Sequence, residues 1–542
     1  MNLLKDSKLI ADVASGQGVA PLTSDFDEAA AAEMKKSIVR AIKPVSGVTA
    51  LPPLETTPKR VMLIVPPGTM EEHVGRLSGA AGELPMLGLA YIAAALRDQG
   101  HMVRIVDYEV NGWPMSKVGN DIAEYKPDVV GMTAYITNMR RCASVAHIAK
   151  QWSPETMVVL GGPQVTIFPE EAFHCPDIDV VVLSEGEIII RNLMNALGNE
   201  EKLLAVPGIW RRLEDGSIHK NQREVLVDNL DIFPPPALDM FEMEKYFPPV
   251  YIRGKSVAHL LTSRGCPFQC TFCETKLTFG RSLRFHSLER ILDDIQRLID
   301  LGYDSFQFYD DIFTANAERT STLCNGILNR RMNIQWMCYT RTNTVSPELL
   351  KLMKSAGCYM ISFGVETADD ELLMLIKKNL TVQSNWDGIR ATKDAGIEVA
   401  GTFMIGLPTE TPKQTEAAIS FAISSGIDYA IFGITEPYPG TELWIDAQKY
   451  GHFDDTGKYK NNLLSENAAV WIPNGRNRDE LKAWIDTAMR KFYLRPASIG
   501  RAIRNFWYLP FRRALRYLWA GYVFFILGRF RKSNLAHMGT RN

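Results

Sequence analysis

The chain has 542 residues, too many for one hydrophobic core of ordinary size, so we expect two or three domains. Its 60 basic and 62 acidic side chains leave a formal net charge of -2, which excludes a global field that would attract nucleic acid or another polyanion. Eight cysteines are too sparse for a disulfide scaffold, and the first residues lack the apolar stretch of a cleavable signal. We therefore expect a protein of the reducing cytoplasm without a nucleic-acid partner.

The first part of the chain predicts an α/β domain behind an N-terminal extension. Residues 1–58 end in a proline-rich stretch, which indicates an extension and linker. Over residues 59–205, β-branched runs alternate with amphipathic helical stretches, the pattern of parallel strands joined by crossover helices. A doubly wound domain of this kind binds its ligand beyond the carboxyl ends of its strands. The predicted strands are 61–65, 103–107, 129–133, 157–160 and 180–183.

The next part predicts a second α/β domain of different architecture. Prolines in residues 206–250 indicate a linker, after which the alternation resumes over residues 251–465. Six consecutive βα units predict a partial, TIM-like (β/α)6 barrel, with its chemistry at the rim formed by the carboxyl ends of the strands. The predicted strands are 257–261, 305–309, 335–339, 360–365, 399–405 and 429–434.

Residues 466–542 predict a helical C-terminal region. Residues 479–493 have apolar side chains at helical spacing, which indicates a core-packing helix. The tail, 501–542, carries nine Lys or Arg and no acid, interleaved with aromatic residues. That composition is typical of a segment at a membrane interface, although a helix packed on the protein is the alternative. The apolar run 517–527 is too short to span a bilayer, which takes about 20 residues.

Three cysteines make the strongest chemical signal in the chain. Cys266, Cys270 and Cys273 follow the first predicted barrel strand at x3 and x2 spacing. A structural zinc site usually has a closed set of four ligands, and the nearest further cysteines, Cys324 and Cys338, lie in other predicted elements. Three thiolates on a four-iron cluster instead leave one iron open to a reactant. An iron–sulfur cluster is therefore favoured over zinc.

The cysteine spacing, Phe272 before the last cysteine and the place of the loop after a first barrel strand resemble the radical S-adenosylmethionine superfamily. In that family, the amino and carboxylate groups of S-adenosylmethionine chelate the fourth iron of a 4Fe-4S cluster. An electron from the cluster cleaves the sulfonium to a 5′-deoxyadenosyl radical, which takes a hydrogen atom from an unactivated carbon. The resemblance implies that the protein holds and orients these cofactors and excludes water.

Positions at the carboxyl ends of the predicted barrel strands resemble the contacts that this family makes to S-adenosylmethionine. Those after the second strand would touch its amino group, although acids replace the usual glycines, and those on the fourth would contact its ribose and carboxylate. The fifth-strand glycines would flank the adenine, and the third strand offers a hydroxyl and a guanidinium. Surface carboxylates and strand-end glycines are the structural alternative. The positions are Asp310, Asp311, Thr340, Arg341, Ser362, Glu366, Gly401 and Gly406.

The first domain has no G-x-G-x-x-G after its first predicted strand, so a dinucleotide is not expected. Its phrases 84–96, 161–164 and 183–187, in this order before a three-cysteine barrel, resemble the cobalamin-binding domain of cobalamin-dependent radical S-adenosylmethionine enzymes. The resemblance covers residues of about 60 to 440, and an α/β module without a ligand is the alternative. It implies cobalamin contacts at Pro66, Thr133, Gly161, Gly162, Gln164, Glu185 and Gly186.

Many cobalamin proteins supply an axial histidine from a D-x-H-x-x-G loop. Residues 71–76 are a near miss around His73, with Glu for Asp and Arg for the last Gly. We therefore predict that His73 is not a ligand and that the lower face of cobalt has no histidine.

The resemblance implies a methyltransferase that acts at an unactivated carbon. One S-adenosylmethionine would methylate cob(I)alamin, a second would give the radical, and methylcobalamin would deliver the methyl group. An interfacial tail predicts a hydrophobic substrate, such as an isoprenoid lipid or a tetrapyrrole, and the cluster needs an electron donor of the flavodoxin or ferredoxin type. One alternative is a radical oxidative cyclase or ring-rearranging enzyme of the anaerobic magnesium-protoporphyrin ester cyclase type. A non-enzymatic cobalamin and iron–sulfur sensor at the membrane is the other.

Overall fold

We analysed a computed structural model of the chain, which describes residues 44, 46–69, 82–222, 226–249, 251–453, 471–506 and 515. The loop around His73 and most of the basic tail lie outside these residues. Within them, no helix is long and apolar enough to cross a membrane.

The first domain is a twisted sheet with helices on both faces. Its strands are β1 (Arg60–Val65), β2 (Met102–Asp107), β3 (Val129–Thr133), β4 (Met157–Gly161), β5 (Val180–Val182), β6 (Ile209–Arg212) and β7 (Ile218–Lys220). Its helices are α1 (Leu87–Asp98), α2 (Met115–Tyr125), α3 (Met139–Trp152), α4 (Pro163–Ile167), α5 (Pro169–Ala172), α6 (Gly186–Ala196) and α7 (Glu200–Ala205).

The strand order in this sheet is β2-β1-β3-β4-β5-β6-β7. Strands β1 to β5 are parallel, as the alternating pattern predicts, and their runs of buried β-branched side chains pack against helices on both faces. Strands β6 and β7 add an antiparallel edge. The sheet thus continues into the residues that were expected to be linker, because an edge strand is short and half polar and has little of the apolar pattern that marks an inner strand.

The second domain is a partial barrel. Its six strands are β8 (Val257–Leu260), β11 (Ser305–Phe308), β12 (Gln335–Thr340), β13 (Cys358–Glu366), β14 (Glu398–Ile405) and β15 (Tyr429–Ile434), and the short pair β9 (Ser263–Arg264) and β10 (Arg284–Phe285) brackets the cysteine loop. The helices are α8 (Thr275–Thr278), α9 (Leu288–Asp300), α10 (Ala317–Asn329), α11 (Pro347–Ser355), α12 (Asp370–Leu375), α13 (Val382–Asp394), α14 (Pro412–Ser424), α15 (Glu442–Ile445) and α16 (Ala447–Tyr450).

All neighbouring strands of the barrel sheet are parallel, in the order β15-β14-β13-β12-β11-β8. The predicted partial barrel is confirmed, with its edges at the first and last strands. A small antiparallel pair, β16 (Gly451–Phe453) and β17 (Trp471–Pro473), follows. The helices α17 (Arg478–Tyr493) and α18 (Pro496–Phe506) then continue the chain, and α17 buries Leu481, Ile485, Ala488 and Phe492 in the barrel core, as its spacing predicts.

The two domains share polar contacts along a common interface. His259 of β8 donates from Nε2 to the carbonyl of Pro85, in the segment that leads into α1, at 2.8 Å. In the same segment, Glu83 pairs with Phe247 in an antiparallel bridge. These contacts place the first domain against the edge strand of the barrel.

Candidate active site between the two domains

The cysteine loop lies between β9 and β10, as its place after the first barrel strand predicts. Thr271, in the middle of the loop, donates its backbone N–H to the carbonyl of Ile376, at 3.0 Å, which ties the loop to the segment after α12. Cys270 is buried, whereas Cys266 and Cys273 are partly exposed. The fold thus presents three thiols from one anchored loop.

The chemistry of this donor set fits an iron–sulfur cluster. Burial raises the pKa of Cys266 to about 12 and raises that of Cys273, so these thiols need a bound cation in order to exist as thiolates. Within the described part of the chain, no three His, Cys, Asp or Glu side chains are grouped closely enough to hold one metal ion. A cluster does not require this, because each cysteine binds a different iron. The separation of the three cysteine side chains in the structure therefore disfavours a single zinc ion.

Arg341, at the end of β12, brings a positive charge to the cysteine loop. Its Nη1 lies 3.7 Å from the Sγ of Cys270, and its guanidinium stacks 3.8 Å from the ring centre of Phe268. The side chain is 2% exposed and also donates to the carbonyl of Lys378. Arg341 is thus placed beside a predicted cluster ligand, where it would also reach a molecule bound on the cluster.

The two acids after β11 have different surroundings. Asp310 is buried and accepts hydrogen bonds from the backbone N–H of Thr262, at 3.1 Å, and from the hydroxyls of Thr262 and Ser263. Asp311 is instead an exposed residue beside the cysteine loop, and it accepts a hydrogen bond from the Thr275 hydroxyl at 3.2 Å. Asp310 therefore anchors the strand that leads into the loop, and Asp311 has oxygen atoms available to a ligand.

On β13, Glu366 is paired with a lysine that the sequence patterns did not single out. Its Oε1 lies 2.7 Å from the Nζ of Lys378, and both side chains are 8% exposed. A Cβ at Gly364 would lie 2.5 Å from Glu366 Oε1 and 2.7 Å from Lys378 Nζ, so a glycine is needed there to seat the pair. Ser362, earlier on the same strand, is buried. Glu366 and Lys378 together offer one acid and one cation near Phe272.

The other predicted barrel positions are placed as follows. The Thr340 hydroxyl is occupied by Thr314 and by Thr344, the latter at 3.0 Å. Gly401 lies mid-strand, where a Cβ would lie 2.8 Å from Ile427, so it serves packing against the outer layer and is not at the strand end. Gly406, just after β14, has a φ of +82° and needs glycine for that reason.

The predicted cobalamin contacts lie at the carboxyl ends of β1, β3 and β4. Pro66 follows β1, Thr133 ends β3, and Gly162 has a φ of +103°, where a Cβ would lie 2.7 Å from the carbonyl oxygen of Ala134. A Cβ on Gly161 would make only ordinary contact with Val182, at 4.0 Å, so internal packing does not require glycine there. Gln164 is buried and donates to Glu171, at 2.5 Å.

Two features of this crevice suit a bound ligand. Beyond β5, the hydroxyl of Ser184 is buried without a hydrogen-bond partner, a state that is costly unless a ligand or water satisfies it. Gly186, which begins α6, packs against Ile92 of α1. Gly161, which internal packing does not require, and Ser184, whose hydroxyl has no partner, lie at the same edge of the sheet. A bound cobalamin would explain both.

Glu185 is engaged with the barrel. Burial alone would raise its pKa, but Arg264 and Arg284 overcome this and hold the pKa of Glu185 below its usual range. The distances are 3.3 Å to Arg264 and 2.6 Å to Arg284, and Glu187 pairs with Arg264 at 2.6 Å. All four side chains are at most 6% exposed. The carboxylate of Glu185 therefore serves the domain interface, and only its backbone remains for cobalamin. We call these four residues the interdomain ion cluster.

One cavity of ≈ 170 Å³ joins the two regions. It lies between the loops after β3 and β4 in the first domain and the residues that follow the cysteine loop and β15 in the second. The crevice edge and the cysteine loop thus border the same space. The lining residues are Tyr135, Ile136, Thr137, Pro163, Gln164, Ile167, Glu274, Tyr438 and Pro439.

Comparison with known families agrees with this geometry. The B12 binding domain family matches residues 75–194, and the radical SAM superfamily matches residues 260–422. An uncharacterized methyltransferase of Pyrococcus horikoshii is 34% identical over 84% of this chain and 97% of its own. The anaerobic magnesium-protoporphyrin IX monomethyl ester cyclase of Rubrivivax gelatinosus is 29% identical, over 77% and 75%. The hopanoid C-3 methylase of Methylococcus capsulatus is 27% identical, over 67% and 68%.

Solved structures share the fold. The radical S-adenosylmethionine methyltransferase TsrM from Kitasatospora setae, solved with cobalamin and a 4Fe-4S cluster, superposes with a TM-score of 0.61 at 17% identity, over 82% of this chain and 90% of that one. The cobalamin-dependent S-adenosylmethionine radical enzyme OxsB gives 0.57 at 20% identity, over 74% and 56%. The two-domain α/β architecture expected from the sequence is confirmed.

Proposed function

We propose, from the premise that this chain belongs to the cobalamin-dependent radical S-adenosylmethionine enzymes, that it methylates an unactivated carbon of a hydrophobic substrate. Its cofactors are cobalamin, a 4Fe-4S cluster and S-adenosylmethionine, as the sequence resemblance implies. When bound, the cluster and S-adenosylmethionine supply the radical that activates the substrate, and cobalamin supplies the methyl group.

The observation that carries this proposal is the shared cavity. Glu274, directly after Cys273, lines it from the barrel, and Thr137 and Gln164 line it from the cobalamin crevice. The part of a substrate that enters this space is next to both cofactor sites at once. Such placement is the main contribution a protein makes to this chemistry, because the reacting atoms must be held close together while water is excluded.

Four side chains have positions that suit S-adenosylmethionine. The open carboxylate of Asp311 would accept from its amino group, and Arg341 would donate to its carboxylate. Glu366 and Lys378 lie near Phe272 of the cysteine loop, where the acid suits ribose hydroxyls and the lysine suits an anion. Cys266, Cys270 and Cys273 would hold the cluster. The loop with His73 lies outside the described residues, and a histidine-free lower face of cobalt remains our proposal.

A hydrophobic substrate suits the walls of the cavity. Ile136 and Ile167 line it, together with two prolines and the rings of Tyr135 and Tyr438. The hopanoid methylase is supporting evidence, since its name describes a methylase of an isoprenoid lipid. We propose an isoprenoid lipid or a tetrapyrrole, delivered in part through membrane contact of residues 501–542, with a flavodoxin or ferredoxin as the electron donor.

Labelled S-adenosylmethionine tests the reaction. The anaerobically reconstituted enzyme is incubated with a reductant, S-adenosylmethionine carrying a CD3 group, and candidate isoprenoid lipids and tetrapyrroles. Methyl transfer predicts a substrate product that is heavier by one CD3 group in place of hydrogen. Replacing Cys270 by Ala should abolish the product. Cleavage of S-adenosylmethionine that survives this change would contradict the assignment of Cys270 to the cluster.

A radical cyclase is the second candidate. The relative from Rubrivivax gelatinosus supports it, because it is similar over most of both chains and its name describes cyclisation of a porphyrin ester. In the same assay, a cyclase would form 5′-deoxyadenosine without transferring the label. A cobalamin and iron–sulfur sensor would bind both cofactors yet form neither product.

A further inference from the structure

Glu274 is a partly buried acid with no role in the predicted sites. It follows Cys273 directly and lines the cavity between the domains. Among the residues that the structure describes, no group donates a hydrogen bond or gives an ion pair to the side-chain carboxyl group of Glu274, whereas Glu442 is paired with Lys276 and Lys377.

An unpaired carboxylate in a partly closed space favours a ligand that brings its own donor. Partial desolvation of such a group without a partner is costly, and a carboxylate accepts hydrogen bonds but cannot donate them. A ligand group that lies against Glu274 should therefore carry an N–H or O–H. The other residues of the barrel side that line the cavity are Tyr438 and Pro439.

The opposite wall identifies the donor. Six of the nine lining residues, including Thr137, Pro163 and Gln164, come from the loop after β3 and from α4, which follows β4, at the edge where cobalamin is expected. The corrin ring carries primary amide arms around its periphery, and each arm offers two N–H donors. A cavity of ≈ 170 Å³ is small for the macrocycle but has room for one such arm.

We propose that the Glu274 carboxylate accepts a hydrogen bond from a peripheral amide of cobalamin. Because Glu274 is joined to Cys273 through one peptide bond, this contact ties the corrin to the cluster loop and fixes how cobalamin faces the cluster. The inference rests on the cobalamin of the proposed function, but not on methyl transfer. Glu274 is a positioning residue that belongs to the barrel and acts on the ligand of the other domain.

Cobalamin titration tests the contact. Hydroxocobalamin is titrated into the full-length, cluster-reconstituted protein under anaerobic conditions, and its Kd is read from the change in its absorption spectrum. Glu274→Ala should weaken binding by about tenfold, since a hydrogen bond to a charged group is lost. Glu274→Gln, which keeps a neutral acceptor, should weaken it less. Glu201→Gln, at an exposed position of the first domain, controls for the loss of one negative charge and should leave the Kd unchanged.

The iron content and the melting temperature of each variant separate this contact from a folding defect. If Glu274→Ala loses its cluster, Glu274→Gln decides the question. An unchanged cobalamin Kd in a variant that keeps its iron overturns the proposal, and a raised KM for the substrate in that variant would assign Glu274 to the substrate. The two proposals can fail separately. If Glu274→Ala weakens cobalamin binding and the enzyme proves to be a cyclase, the proposed contact stands and methyl transfer is refuted.

Discussion

At the scale of single residues, neighbours in the sequence have separate tasks. Asp310 and Asp311 both match the position that contacts S-adenosylmethionine in the family. Asp310, however, accepts hydrogen bonds from Thr262 and Ser263, whereas Asp311 lies beside the cysteine loop. Side chains alternate in direction along an extended backbone, so two consecutive acids at a strand end cannot share one environment. The partners of each acid, and not its match to a motif, indicate its role.

The two acids should therefore fail in different ways. Asp311→Asn should weaken S-adenosylmethionine binding by about tenfold, the worth of a hydrogen bond between charged groups, with little change in melting temperature. Asp310→Ala should destabilise the fold by about 2–3 kcal/mol, because the donors on Thr262 and Ser263 lose their acceptor. Equilibrium dialysis and thermal melting measure the two effects. Equal melting temperatures for the two variants would contradict the assignment.

Arg341 should tune the cluster. Its guanidinium lies 3.7 Å from the Sγ of Cys270, and hydrogen bonds and positive charge at a ligand sulfur stabilise the reduced cluster. Arg341→Gln should make the reduction potential more negative, as measured by redox titration with EPR detection. Arg253→Gln, a change at a half-exposed arginine of the barrel, is the control and should leave the potential unchanged. A more positive potential in Arg341→Gln would contradict this role.

At the scale of elements, the sequence predicts what depends on local patterns. The five parallel strands of the first sheet and the six of the barrel agree with the predicted runs to within one residue at each end, except for β13, which begins two residues earlier. Buried parallel strands are continuous β-branched or aromatic runs, which makes them visible. The pairs Glu366 with Lys378 and Glu185 with Arg284 were not predictable, because contacts between residues 12 and 99 positions apart leave no periodic signal.

The contact of β8 with the first domain should make stability depend on pH. Burial lowers the pKa of His259 to about 4, from 6.5 in the unfolded chain, so the unfolded state binds more protons between these values. The contribution of His259 to the free energy of unfolding is then fully present above about pH 6.5 and is lost as the pH falls toward 4. At pH 5 the loss is about 2 kcal/mol.

Replacing His259 with Gln removes this titration and keeps an N–H for the carbonyl of Pro85. Melting temperatures at pH 7 and pH 5 provide the measurement. The wild-type protein should lose more stability than the variant over this interval. Equal losses would show that His259 does not titrate as its burial requires.

At the scale of the whole molecule, the interdomain ion cluster joins the cobalamin crevice to the cysteine loop. Arg264 lies two residues before Cys266, and Glu185 and Glu187 flank the start of α6. The interdomain ion cluster is thus only a few residues away from each of the two predicted cofactor sites. Buried ion pairs of this kind are weak evidence for stability, because desolvation offsets their attraction, but they are costly to break on one side only.

Removing one residue of an ion pair in the interdomain ion cluster should therefore lower the free energy of unfolding more than removing both residues of the pair. Arg264→Leu leaves Glu187 buried without its partner and should cost about 3–5 kcal/mol. The double variant Arg264→Leu with Glu187→Leu should recover part of that loss. Arg97→Ala, which breaks a half-exposed pair with Asp239, should cost less than about 1 kcal/mol. Denaturant unfolding checks the order, and a double variant that is less stable than Arg264→Leu would contradict it.

The central claim is that one cavity brings cobalamin and the iron–sulfur cluster together. EPR spectroscopy tests it most directly, because cob(II)alamin and the singly reduced 4Fe-4S cluster are both paramagnetic. In the protein loaded with both cofactors, reduction of the cluster should broaden the cobalt signal and speed its relaxation, and Cys270→Ala should remove this effect while the cobalt signal remains. A cobalt signal that does not change when the cluster is reduced would contradict the account.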